Sequence, residues 1–243
     1  HIDDLKRKDI HFDEQLAQRA ISFFSLLTLP AGINAGQSFK LEPWQCFIVG
    51  SLIGWQKQGR RRFQYAYVEV ARANGKTPTG AGILLYGLSA DNEPGAQCYS
   101  AATTRDQAKI AFRDATKMVE GTPELNTSVE KLVNNLTYNP LGSFLRPLSS
   151  DASKMDGLRV HIALADELHE HQSGEVIHKL RTGMKSSQPL LLEITTAGYD
   201  RKSICWDVHE QALRACEDRS LAPDLLAAIY SAEDGDDIED PKV

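Results

Sequence analysis

Cysteine is scarce in this 243-residue chain, and the four present, Cys46, Cys98, Cys205 and Cys216, form no C-x-x-C pair. Their spacing excludes a zinc-ribbon or dithiol rhythm and reads as buried or incidental thiols of a reducing cytosol. Long hydrophobic runs are missing too. Gly, Ser or a charge interrupts every apolar stretch well short of the ~18 residues of a membrane span, and no secretory h-region is evident. Basic residues are not in excess: 27 Lys and Arg stand against 33 Asp and Glu, a net charge of −6. A nucleic-acid partner therefore has to be held by a local patch rather than by the whole surface. No internal repeat occurs. The remaining composition, 42% hydrophobic and 25% charged, suits one large soluble domain, or one domain with a small appendage.

Hydrophobic spacing organises the chain. In "FDEQLAQRAISFFSLL" (12–27) the apolar residues recur at helical intervals, and "LPAGINAGQSF" after it is a Pro/Gly-rich loop. "EPWQCFIVGSLIGW" opens with Pro43 at a first helical position and continues as a mostly buried helix. From residue 64 the pattern alternates. Strands are expected at "QYAYVEV", "AQCYSAA", "VHIALADE", "PLLLEITTAG" and "LLAAIY". Helices are expected at "TPTGAGILLYGLSA", "TRDQAKIAFRDATKMVE", "GEVIHKLRTGM" and "SICWDVHEQALRACED", with "VEKLVNNLTY" and "GSFLRPLS" as a hairpin pair. Pro78 is tolerable only in the first turn of its helix, where no N–H is needed. Apolar strands alternating with helices predict an α/β fold with a mainly parallel sheet covered on both faces. Ligands of such sheets bind at the carboxyl ends of the strands, so the chemistry is expected after Val70, Ala101, Ala165 and Ile194.

"VEVARANGKTPTG" is close to the phosphate loop G-x-x-x-x-G-K-[ST] but carries Val70 at the first glycine position and Arg72 inside the loop. As a phosphate loop, the backbone of Arg72, Ala73, Asn74 and Gly75 would wrap a phosphate at a helix N-terminus. Lys76 would reach the β- and γ-phosphates of ATP, and the Thr77 hydroxyl would bind Mg²⁺. The alternative is an Asn-Gly hairpin turn, for which "TPTGAGILLYGL" is a poor second strand. Roughly ninety residues on, "HIALADEL" has the form of an apolar strand ending in acids. Asp166 would hold Mg²⁺ there and Glu167 would polarise the attacking water; the alternative is an acidic helix start. Together the two stretches favour a nucleotide site. Thr195, Thr196 and Gly198 end the strand "LLLEITTAG". If that strand lies between the other two, its hydroxyls face the γ-phosphate; otherwise they are ordinary strand-end caps. Gln45, beside Trp44, offers an amide suited to adenine, against the plainer reading of a surface helix glutamine. "ELHEHQ" lacks a zinc spacing and reads as a polar loop. "QKQGRRRF" is the densest basic stretch; it could contact DNA phosphates, and a solvated turn is the preferred reading.

These pieces, with "LEPWQ", "YSAATTRDQAKIAF" and "LSSDASKMDGL", follow one another over about residues 40–200 in an order that resembles the N-terminal ATPase domain of a large terminase subunit, the DNA-packaging motor of tailed bacteriophages. The resemblance implies a P-loop NTPase fold of the ASCE type with an N-terminal helical segment (1–40), an ATPase domain (41–230) and an acidic tail (231–243). It implies ATP and Mg²⁺ as cofactors, with Gln45 at adenine, Lys76 and Thr77 at phosphate and Mg²⁺, and Asp166 and Glu167 as the acid pair. Arg72 would act on the γ-phosphate in cis, and Thr195–Thr196 would be the coupling motif. A ring around double-stranded viral DNA, expected as a pentamer, would work with portal protein and small terminase subunit in the host cell cytoplasm, with no membrane. A neighbour would supply an arginine finger, for which Arg146 and Arg159 are the candidates. Large terminases usually add an RNase H-like nuclease. Glu233, Asp234, Asp236, Asp237, Glu239 and Asp240 are sequence neighbours rather than convergent ligands, and read as the start of a linker toward such a domain. Two other readings compete. A two-lobed helicase needs a second lobe, for which the length leaves no room. A nucleotide-gated assembly module with little hydrolysis has no use for Glu167.

Overall fold

The computed structural model describes residues 4–102, 105–148, 157–171, 174–198 and 200–231. The acidic tail and most of "LSSDASKMDGL" lie outside them.

Helix α1 (Glu14–Leu26) is started by Asp13, whose side chain accepts the Leu16 N–H at 2.9 Å. Helix α2 (Pro43–Gly54) begins on Pro43 and is closed at its start by a reciprocal Glu42–Gln45 capping box. Before and after these lie strands β1 (His11–Phe12), β2 (Trp55–Lys57) and β3 (Arg60–Arg61), an antiparallel three-stranded sheet. The main sheet has eight strands: β4 (Tyr65–Glu69), β5 (Gln97–Ala101), β6 (Val129–Leu132), β7 (Asn135–Tyr138), β8 (Ser143–Leu148), β9 (Val160–Ala165), β10 (Leu190–Thr195) and β11 (Leu225–Ile229). Their spatial order is β11-β4-β10-β9-β5-β8-β7-β6; the first six are mutually parallel, and β7 pairs antiparallel with both β8 and β6. Helices α3 (Lys76–Ser89), α4 (Arg105–Gly121), α5 (Pro123–Ser128), α6 (Glu175–Thr182) and α7 (Ile204–Glu217) connect them. This is the expected α/β fold with a mainly parallel sheet between helical layers.

Two cores result, one on each face. Ala66, Val68, Ile162, Leu164, Leu192 and Ile194 pack with α1 to α4, whereas Tyr67, Ala163, Ala165 and Leu191 pack with α6 and α7. Alternation along a strand sends successive side chains to opposite faces, which is why β9 and β10 are apolar almost throughout and wholly buried. Helix α1 joins the first core through Ala20, Phe23, Phe24 and Leu27. Helix α3 lies hard against β9. A Cβ added at Gly80 would come within 2.7 Å of Leu164 Cδ2, and one at Gly87 within 2.5 Å of Ile162 Cδ1. Seven residues apart, these glycines share a helix face and set how deeply α3 seats on the sheet. Among the described residues no helix is long and apolar enough to cross a membrane.

Two expectations change. "VEKLVNNLTY" is not one arm of a hairpin but a hairpin in itself: Leu132 pairs with Asn135 around Val133–Asn134, and β7 then pairs with β8. The two-residue turn is inconspicuous because Val133, an apolar residue, stands 90% exposed in it. The basic stretch 57–62 is also not a solvated turn throughout. Gln58 (φ 52°) and Gly59 (φ 72°) form the tight β2–β3 turn, but Arg61 and Arg62 are buried, against Asp91 and Asp4 respectively. The acids that draw these arginines inward are 30 and 58 residues away along the chain.

Candidate active site

The carboxyl ends of β4, β10, β9 and β5 are neighbours, with β10 between β4 and β9. All four segments expected to carry the chemistry therefore end on one edge of the sheet.

The loop after β4 leads into α3, so residues 76–89 are helical and the hairpin alternative falls away. Its left-handed residues are Ala73 (φ 66°) and Gly75 (φ 72°); Val70 is not among them, and so needs no glycine. Asn74 Nδ2 donates to the carbonyls of Ala71 (3.2 Å) and Arg72 (3.3 Å), which holds the loop curled. Lys76 is 7% exposed, and its Nζ donates to the carbonyls of Val70 (3.0 Å) and Ala71 (3.1 Å). Burial draws its pKa down, while the charges of Glu167 and Asp166 oppose that. Arg72 is exposed on the loop.

Asp166 follows β9 and is buried, its N–H bonded to Ala101 O at 3.0 Å. One carboxylate oxygen accepts the Thr77 hydroxyl at 2.8 Å and the other the Glu167 N–H at 2.9 Å. Burial pushes its pKa up to about 6; the Thr77 bond lowers it, the Glu167 charge raises it further, and the Lys76 charge opposes the shift. Glu167 occupies the left-handed region (φ 50°, ψ 56°), a strained backbone for a non-glycine residue of the kind that clusters at functional sites. Its Oε2 is buried without a hydrogen-bond partner. Thr195 is fully buried and Thr196 is 8% exposed at the end of β10. A cavity of about 620 Å³ opens beside them, lined by Arg72, His169, Thr196, Gly198, Lys202 and Ser203 among others.

The remaining candidates fall into two groups. Gln45 is buried behind Gly75: its Oε1 accepts the Glu42 N–H (2.8 Å) and its Nε2 donates to Thr79 Oγ1 (2.8 Å), tying α2 to α3. It is no surface glutamine. Trp44 is half-buried, its ring edge-on to Tyr230 at 5.8 Å. Arg146 and Arg159 are not brought to this edge. Arg146 lies in mid-β8, over the Phe144 ring (4.1 Å) and bonded to Asn135 (2.9 Å). Arg159 precedes β9 and so sits at the opposite end of that strand from Asp166. One residue set aside by sequence reasoning does belong here. "ELHEHQ" forms a 3-10 turn, Leu168–Glu170, which holds His169 against Glu167 and Thr195. Its signal was only its position after the acid pair. Among the described residues no group of three or more His, Cys, Asp and Glu side chains is placed to hold a metal ion.

A buried lysine at a helix start, a hydroxyl one residue on, and a strand-end acid bonded to that hydroxyl thus meet at this edge of the sheet. The family described as "Terminase large subunit, ATPase domain" matches residues 43–214. This chain belongs to that family. The large terminase subunit of Enterobacteria phage HK97 is 27% identical over 228 residues, covering 91% of this chain and 44% of the relative. The crystal structure of the HK97 large terminase superposes with a TM-score of 0.78 at 26% identity, over 93% of this chain and 46% of that one. Protein YmfN of Escherichia coli K12 is 36% identical over 89 residues, 36% of this chain and 20% of YmfN. A large terminase ATPase domain from a Thermus phage shares the fold, with a TM-score of 0.50 at 16% identity over 86% of this chain and 98% of that one. The terminase domain thus spans less than half the length of the HK97 protein it matches.

Proposed function

We propose that this chain is an ATP-hydrolysing motor domain of a large terminase, which drives double-stranded viral DNA into a procapsid. The observation that carries the reading is the 2.8 Å bond between the Thr77 hydroxyl and the Asp166 carboxylate. It joins the two halves of a nucleotide site that are 89 residues apart in the chain. Two hard oxygen donors converging beside a buried lysine fit Mg²⁺, which takes one or two protein oxygens and completes its shell with phosphate and water. When bound, Mg²⁺ would supply positive charge to the β- and γ-phosphate oxygens; Thr77 and Asp166 would hold it.

Each side chain then has a role. The amides of the loop from Arg72 to Thr77 cradle the phosphates of ATP at the start of α3. Lys76 exchanges its carbonyl partners for phosphate oxygens and stabilises their charge. Glu167 takes the proton of the attacking water as general base. Thr195, Thr196 and Gly198 at the end of β10 sense the γ-phosphate, and Arg72 reaches it from the loop. Gln45 and Trp44, joined to α3 and β11 by their contacts, face the adenine end. The family likeness further supports a homo-oligomeric ring, with portal protein and small terminase subunit as partners in the host cytoplasm. Arg146 or Arg159 would act there in trans on a neighbour's site. Their distance from this chain's own acid pair gives them no part in the site in cis.

ATP turnover, measured with and without double-stranded DNA, tests the proposal. Lys76→Ala is expected to lower the rate about 10²–10³-fold while the circular dichroism spectrum is retained. Wild-type turnover in folded Lys76→Ala protein would overturn it. Tight ATP binding with no turnover in the assembled wild-type ring would favour a nucleotide-gated assembly module instead.

A further inference from the structure

The His169 ring has no part in the scheme above, yet it is the best-connected side chain around the acid pair. It is 11% exposed, and its Nδ1 lies 3.0 Å from Thr195 Oγ1, 3.3 Å from Glu167 Oε2 and 3.4 Å from Thr196 Oγ1. The backbone N–H of the same residue donates to Thr195 Oγ1 at 3.1 Å. Proton counting sets the direction of these bonds. The Thr195 hydroxyl has one proton, and it goes to the Thr196 carbonyl at 2.8 Å, which can only accept. Thr195 Oγ1 therefore accepts from the ring, and Nδ1 carries a hydrogen. The same nitrogen stands 3.3 Å from Glu167 Oε2, at ion-pair distance from a buried oxygen that has no hydrogen-bond partner.

We propose that His169 is a positioning residue: it ties the carboxylate of Glu167 to the hydroxyls at the end of β10, so that the reach of the base and the position of Thr195–Thr196 change together. The inference rests on the reading of Glu167 as the base. Glu167 caps the 3-10 turn in the αL region, and His169 within that turn comes to 3.3 Å from its carboxylate. A carboxylate without this tie would sample rotamers that point away from the water it has to activate. The ring thus turns a displacement of the β10 end into a displacement of the base.

Asparagine and glutamine separate the ring's two nitrogens, since an Asn amide reaches the Nδ1 position and a Gln amide the Nε2 position. In single-turnover hydrolysis by the full 243-residue chain, His169→Ala and His169→Gln are expected to lose about 10–100-fold in rate at saturating ATP. Affinity for a fluorescent ATP analogue should stay unchanged, and His169→Asn should recover most of the loss. Thr195→Val combined with His169→Ala should cost less than the two losses multiplied together. Nitrogen-15 spectra of the imidazoles supply a readout independent of turnover: the signal lost in His169→Asn should show a protonated Nδ1, with Nε2 3.4 Å from Glu170 Oε1, and shift in both Thr195→Val and Glu167→Gln. An Nε2–H signal indifferent to both substitutions, or Asn as slow as Ala, would overturn the proposal. Should Glu167→Gln hydrolyse at the wild-type rate, the base reading fails, while the imidazole spectra still decide whether the tie exists. A slow Glu167→Gln beside a fast His169→Ala removes the positioning role alone.

Discussion

Each end of the parallel sheet buries a carboxylate, and the two are treated oppositely. At the amino end Asp91, just beyond α3, accepts bonds from Arg61 and from His161 Nε2 (2.8 Å), with side-chain exposures of 8%, 2% and 0%. Burial alone would raise its pKa, but the Arg61 charge and the His161 bond hold it below the usual value. At the carboxyl end Asp166 is as deeply placed, yet its hydrogen-bond donors are a neutral hydroxyl and a backbone N–H, and its pKa rises to about 6. Glu167 beside it adds a second negative charge on a strained backbone. The scaffold pairs its buried carboxylate with cations of the fold itself, whereas in the proposed scheme Mg²⁺ would balance Asp166 and Glu167. That imbalance is the feature a cation-binding site would need.

The sharpest way to test the contrast is Glu167→Gln, which should leave ATP binding intact and slow hydrolysis about 10²–10⁴-fold, read by radiolabelled phosphate release. A comparable slowing by a substitution at Asp91 would erase the functional distinction between the two ends. Next in size, Asp91→Ala should destabilise the fold by about 3–5 kcal/mol in denaturant titration, because Arg61 is left buried and unpaired. Its rate per folded molecule should fall far less than that of Glu167→Gln.

Asp166→Asn should do the reverse. In chelator at pH 7 it should stabilise the fold by about 1–3 kcal/mol, since a carboxylate raised from 3.8 to about 6 is penalised when ionised. The sign follows from proton counting. Between those two values the folded chain binds the proton more tightly than the unfolded chain. The contribution of Asp166 is thus fully present below about pH 4 and lost as pH rises through about 6. Thermal melts of the wild type in chelator should fall across that window relative to Asp166→Asn, and parallel curves would refute the imbalance. The smallest effect expected is at the loop: Ala73→Gly should add about 0.5–1 kcal/mol, the left-handed strain of Ala73 less the entropy of a glycine.

Most strands were legible as short apolar runs bounded by turn residues, and the helices by the 3.6 period of α1 and a Pro43 or Asp13 at a helix start. The loop before Lys76 was legible despite Val70, since a helix rather than a strand follows it. Arg61 and Arg62 were not, because whether a basic run is solvated depends on acids far along the chain. Gln45 was legible as a nucleotide-site candidate, but its ties to Glu42 and Thr79 were not. His169 looked like one more polar residue in a loop, since nothing near it in sequence indicates Thr195.

What the sequence alone determined about this terminase domain is therefore the set of elements, the α/β class and the residue types delivered to each strand end. Those rest on local steric and solvation preferences acting over a few residues. Tertiary structure decided that β10 lies between β4 and β9, that Gly80 and Gly87 let α3 seat on β9 so that Thr77 reaches Asp166, and which buried carboxylate keeps its charge. Those outcomes depend on distance through space in a medium of low dielectric, where the neighbour that matters can be ninety residues away, about the separation of Thr77 and Asp166.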